Sequence, residues 1–298
     1  MARFSILLLL VAITYVHTSE GRSFEELFHQ VWEEADYDKL TLVYFWGPSY
    51  CERTKCTIPI TAQKIWTIHG LWPFKSNVKD SPRFCPGTYD SKDISSIEPT
   101  LKNKWRAYTT GGTNDELWKH QYLKHGTCAS DLPTFDSQLK YFQGTMDLYD
   151  KYDIKTILAN GDTAVRPSNV LLYPLADITS ALKKGLGVDP NVYCNEKKNE
   201  QYLQEVRMCF DKTLKPITCG NELVGGGKCG LKKVKLPPFD SFMIPVSSQQ
   251  GASHDLDLPF LLDVADMGAR EMMMTGEEED DGRPLLETLF NDMWEKEE

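Results

Sequence analysis

Five residues in two short windows of this 298-residue chain have the types and spacing of a proton-transfer site. His69 stands in Trp66-Thr67-Ile68-His69-Gly70-Leu71-Trp72-Pro73. His120, Gln121, Lys124 and His125 stand about fifty positions on, in Trp118-Lys119-His120-Gln121-Tyr122-Leu123-Lys124-His125-Gly126-Thr127-Cys128. Imidazole has an unperturbed pKa of roughly 6.5, so in mildly acidic solution one histidine can take a proton while another gives one. A lysine ammonium beside them holds negative charge as it develops. Such a set suits general acid–base chemistry on a phosphate ester and requires no metal ion. One histidine in either window reads more simply as a packed or solvated residue. Two windows, each punctuated by Gly, Pro or Cys, are not what core packing alone selects.

These groups need elements to position them. Residues 115–128 contain good helix formers and no internal proline, which predicts a helix up to Gly126. At about 100° per residue, His120, Lys124, Gln121 and His125 fall at about 0°, 40°, 100° and 140°, a single arc. Trp118, Tyr122 and Leu123 occupy the remaining face and are expected to anchor the helix in the core. Upstream, residues 64–68 alternate β-branched and aromatic side chains, which predicts a strand that Gly70 and Pro73 end, with His69 near its exit and facing a cleft. Further strands are expected at 41–46 and 201–209, and helices near 98–108, 116–125, 137–151 and 176–184. Ser23 with Glu26 reads as a capping box for a short preceding helix. With 41% hydrophobic and 11% aromatic residues, the chain can bury a sizeable core.

The two windows resemble the active-site segments of the ribonuclease T2 family, and the resemblance extends over residues 38–239. It implies an α+β fold, an antiparallel sheet with packed helices, stapled by disulfides. The activity it implies is endonucleolytic cleavage of single-stranded RNA through a 2′,3′-cyclic phosphate, with no metal and no other cofactor. By the same resemblance His125 is the general base, His69 the general acid, His120 a phosphate ligand, and Lys124 the group that stabilises the transition state. Substrate-binding positions are Trp72, on which a base would stack, together with Phe74, Phe45 and Leu117. The chain departs from the family pattern at three of these places. Gln121 replaces the usual Glu of His-Glu-x-x-Lys-His and can hydrogen-bond but carries no charge. Phe74 replaces a base-recognising Asp, and Phe45 a base-contacting Gln, so that stacking would replace hydrogen-bond readout.

The eight cysteines, at 51, 56, 85, 128, 194, 209, 219 and 229, admit on the order of a hundred pairings. The resemblance selects Cys51 with Cys56, Cys85 with Cys128, Cys194 with Cys229, and Cys209 with Cys219. A zinc site is the rival reading, weakened by the lack of paired Cys-x-x-Cys. A basic start, Met1-Ala2-Arg3, precedes a ten-residue apolar run too short for stable membrane insertion. Residues 1–21 therefore read as a secretory signal, with cleavage between Thr18 and Arg22, 22–37 as an N-terminal extension, and the destination as secreted or endolysosomal. No Asn-x-Ser/Thr sequon occurs. The net charge of −10 is uneven: residues 251–298 carry 15 acidic and 3 basic groups, a net of −12, which leaves +2 on the preceding 250. The extension at 240–298 is expected to be largely disordered and solvated. Its segment 284–294 has apolar positions at helical spacing, suited to docking on a protein partner or on its own domain. Two other functions remain open: an RNA- or cell-surface-binding protein without efficient turnover, and a metallohydrolase using the histidines.

Overall fold

The computed structural model describes residues 35–76, 81–220 and 227–244. The expected signal, the Ser23–Glu26 capping box and the acidic segment from 245 onward lie outside the described residues. In chain order the elements are β1 (Lys39–Phe45), the one-turn helix α1 (Gly47–Tyr50), β2 (Ile58–Pro59), β3 (Thr67–Phe74), α2 (Glu98–Lys104), α3 (Asn114–Lys124), α4 (Gln138–Tyr149), α5 (Ile154–Ala159), β4 (Tyr173–Pro174), α6 (Leu175–Leu186), β5 (Asn191–Lys197), β6 (Glu200–Asp211), β7 (Pro216–Ile217), β8 (Lys233–Val234) and β9 (Met243–Ile244).

The main sheet has the order β3-β1-β6-β5, with β7 added on β6, and every pairing in it is antiparallel. β1, Lys-Leu-Thr-Leu-Val-Tyr-Phe, is buried along its whole length because both of its edges are paired. Alternation sends Leu40, Leu42 and Tyr44 to the helix-covered face, where Tyr44 stacks on Tyr149 at the end of α4. Lys39, Thr41, Val43 and Phe45 take the other face, opposite Trp72 of β3 and Glu205, Arg207 and Cys209 of β6. The α+β architecture is that of the antiparallel sheet with packed helices, and four disulfides tie its loops: Cys51–Cys56, Cys85–Cys128, Cys194–Cys229 and Cys209–Cys219. Among the described residues, no helix is long and apolar enough to cross a membrane.

Several boundaries differ from the sequence expectation, each for a tertiary reason. Gly70 and Pro73 lie inside β3 and do not end it. Pro73 is tolerated because β3 is an edge strand, where half of the N–H groups have no ladder partner. His69 is not at a strand exit but at a bulge: Val43 pairs with Gly70 and Tyr44 with Ile68, so His69 is the extra residue. A bulge re-aims a side chain locally. α2 stops at Lys104, short of 108, because Trp105 leaves helical geometry to send its fully buried indole to the backbone carbonyl of His69, 2.8 Å away. α3 begins with a capping box between Thr113 and Glu116 and ends before His125, whose φ of −124° is no longer helical. α5 and β5 carried no periodic signal strong enough to read.

Candidate active site

The site forms where the β3 bulge meets the C-terminal end of α3, and Trp72 is the piece that joins them. Its indole N–H donates to Oε1 of Gln121 at 2.8 Å. Its ring stacks on His125, with centroids 5.1 Å apart and planes at 26°, and stands edge-on to His69 at 5.2 Å. One side chain thus touches both histidines. Gly70 makes this possible, since a Cβ there would run into Gln121 Oε1 and Trp72 Nε1.

The burial on α3 reverses the expectation from its polarity. Gln121, Lys124 and His125 are all 5% exposed or less, whereas Tyr122 and Leu123, read as core anchors, are only half-buried. Trp118 is in the core as expected, its indole bonded to the Trp105 carbonyl at 2.7 Å. The physical reason is that the polar arc is the side facing β3. His120 sits at the half-buried edge of the group. Facing it edge-on at 6.5 Å is Phe84, whose ring is 45% exposed. Phe84 holds a left-handed backbone (φ 54°), and its N–H donates to the Lys124 carbonyl at 2.9 Å, beside the Cys85–Cys128 bridge that fastens this loop to the end of the helix.

Sequence reasoning missed Glu205 and Arg207. Glu205, 4% exposed, accepts from Nδ1 of His69 at 2.8 Å on Oε1. Its Oε2 accepts from Arg207 Nε at 2.8 Å and Nη2 at 2.7 Å. Burial by itself would raise the Glu205 carboxyl, but the guanidinium and the His69 bond outweigh it and hold the group below the ordinary carboxylate range. Arg207 in turn lies over the rings of Tyr193, at 3.8 Å, and Trp72, at 4.8 Å. The available signal was a pair of opposite charges one strand period apart, on either side of Val206. Nothing local says which side of a strand is covered, so the pair carried no site signal.

The expected substrate-binding residues separate into two groups. Phe45 and Leu117 line one pocket beside His69, with Tyr50 and Tyr108 as further aromatic walls and Arg106 and Gln204 as polar groups. The Phe45 ring lies 5.1 Å from that of His69. Trp72, by contrast, is 6% exposed with its ring packed on His125 and Arg207, so in this conformation it positions a histidine and does not offer a free face to a base. Phe74 is buried five residues along β3 from His69, with the Lys39 ammonium 4.6 Å from its ring centroid, and does not join the cluster. All eight cysteines are in disulfides, which removes the thiolates that a zinc site would use. Among the described residues, no group of three or more His, Cys, Asp or Glu side chains is arranged to hold a metal ion.

The model of the ribonuclease T2 family matches residues 37–219. The chain belongs to the ribonuclease T2 family. Ribonuclease Oy of Magallana gigas is 32% identical over 204 residues, which cover 66% of this chain and 94% of that protein. Ribonuclease T2 of Sus scrofa is 31% identical over 189 residues, 62% of this chain and 90% of that protein. Among solved structures, RNase NT in complex with 5′-AMP superposes with a TM-score of 0.60 at 32% identity, covering 68% of this chain and 100% of that one. Within this ribonuclease T2 family member, position 121 is a Gln whose amide oxygen serves as the acceptor for Trp72.

Proposed function

We propose that this ribonuclease T2 family member is a metal-independent endoribonuclease acting on single-stranded RNA in a secreted or endolysosomal compartment. The observation that carries the reading is that one indole touches both His69 and His125, which sets two proton carriers across a single site. His125 takes the proton of the ribose 2′-hydroxyl, and the freed oxygen attacks the adjacent phosphorus. Lys124 and His120 hold the charge that builds on the phosphorane oxygens. The bond from phosphorus to the 5′-oxygen breaks as His69 gives that oxygen a proton, leaving a 2′,3′-cyclic phosphate. Water then opens the ring with the two histidines in exchanged roles. The pocket of Phe45, Tyr50, Tyr108 and Leu117 beside His69 supports an aromatic slot for a base, and exposed Phe84 beside His120 supports a second stacking surface.

The test is to incubate the purified protein with single-stranded RNA in excess EDTA and look for cyclic-phosphate ends. Cleavage is expected, and His69→Ala and His125→Ala should each lower kcat on the order of 10²–10⁴-fold with the fold intact. Loss of cleavage with EDTA would instead establish metal-dependent hydrolysis. Binding of RNA without cleavage would establish the second reading, a non-cleaving RNA- or cell-surface-binding protein, which the uncharged Gln121 favours.

A further inference from the structure

We infer that Glu205, on β6, is the positioning residue of His69. The inference rests on the reading of His69 as the proton donor to the leaving oxygen. Glu205 divides its two oxygens: Oε2 takes both Arg207 bonds, and Oε1 is left for His69 Nδ1. An ionised carboxylate only accepts, so Nδ1 must carry the hydrogen, and neutral His69 is held as the Nδ1–H tautomer. Nε2 is then the atom that exchanges protons with substrate. The backbone is fixed as well, since Trp105 donates to the His69 carbonyl at 2.8 Å, and the ring is flanked by Phe45 and Trp72 at 5.1 and 5.2 Å. The groups around His69 that bear or gain charge are Glu205, Arg207 behind it, His125 across Trp72, and Arg106 in the adjoining pocket. A buried carboxylate is costly to keep in a sheet, and the Arg207 guanidinium already balances its charge. Its free oxygen is nevertheless aimed at the one bulged residue of β3. Gln121, by contrast, carries no charge and accepts from Trp72. The site thus places its buried carboxylate on the histidine read as the acid.

The test compares the full-length wild type with Glu205→Gln and with the double variant Glu205→Met/Arg207→Met, which strands no buried charge. The tautomer of His69 is read by long-range ¹H–¹⁵N correlation of the ring nitrogens, which needs no turnover. The wild type should show the Nδ1–H pattern and the double variant a mixture with Nε2–H. In parallel, kcat on single-stranded RNA should fall on the order of 10²-fold in the double variant while KM stays near the wild-type value, and Glu205→Gln should lie between. An unchanged tautomer, or an unchanged kcat in a folded double variant, overturns the inference. If His69→Ala itself retained full activity, the functional reading would fail, a separate result from the failure of Glu205.

Discussion

The close approach at Gly70 yields a prediction whose size can be worked from the structure. In Gly70→Ala the new methyl lands on Gln121 Oε1 and Trp72 Nε1, which are already bonded to each other at 2.8 Å. Neither can swing to solvent, because Gln121 is 0% and Trp72 6% exposed. Forcing a methyl into a packed site costs roughly 1–3 kcal/mol. If the atoms part to make room, a buried donor and a buried acceptor are each left unmet at about 1–3 kcal/mol. Replacing Gly by Ala within a strand returns roughly 0.5–1 kcal/mol through lower chain entropy. The net expectation is a loss of about 3 kcal/mol, visible as a fall in the urea midpoint at constant slope. Because Trp72 stacks on His125, displacement of its ring should also lower kcat, on the order of 10²-fold for a shift near 1 Å. Trp72→Phe removes the indole N–H, so Gly70→Ala should cost less in that background than alone, a non-additivity expected of groups in contact. A loss under about 0.5 kcal/mol with unchanged kcat, the range of an ordinary surface change, would refute this account of how His125 is held.

Three further outcomes follow. Arg207→Met leaves Glu205 buried without its main partner and should cost about 3–5 kcal/mol by chemical denaturation, with much of that recovered in Glu205→Met/Arg207→Met. Since the folded Glu205 carboxyl sits below its ordinary value of 4.5, the unfolded chain binds the proton first. The stability contribution of the pair is therefore complete at neutral pH and is lost as pH falls below the ordinary carboxylate range, so acid unfolding curves of wild type and double variant should converge there. Truncation after Gln250 removes a segment of net −12 from a part that carries +2, and should lower KM for single-stranded RNA at low salt, with the difference fading as salt rises; equal KM values at low salt would reject electrostatic self-inhibition.

Much of the site could be read from the chain because its chemistry is concentrated in two windows. The helix carrying His120, Gln121 and Lys124 was visible from its formers and periodicity, and β1 and β6 from their alternation. What could not be read depends on pairings between distant segments. The bulge at His69 exists only in register with Val43 and Tyr44, so nothing within the window 66–73 announces it. Glu205 looks like one more polar position on a strand until β6 is placed beside β1 and its side chain reaches His69, 136 residues away in sequence. The end of α2 likewise depends on a distant carbonyl, that of His69, drawing Trp105 out of the helix. The polarity of α3 misled for a related reason: an enzyme-like cleft buries polar groups, and Lys124 at 1% exposure is more deeply placed than Leu123.

The position of β6 in the sheet also gives the site a schedule. β1 lies between β3, which follows it closely in sequence, and β6, which is translated much later. A ribosome adding roughly 5–20 residues per second takes on the order of ten to thirty seconds to pass from His69 to Glu205. Through that interval the histidine windows have been made, and the Cys85–Cys128 pair can close, but β1 has one open edge and His69 has no carboxylate against it. Under the proposed reading, His69 therefore lacks its positioning carboxylate until β6 has joined the sheet.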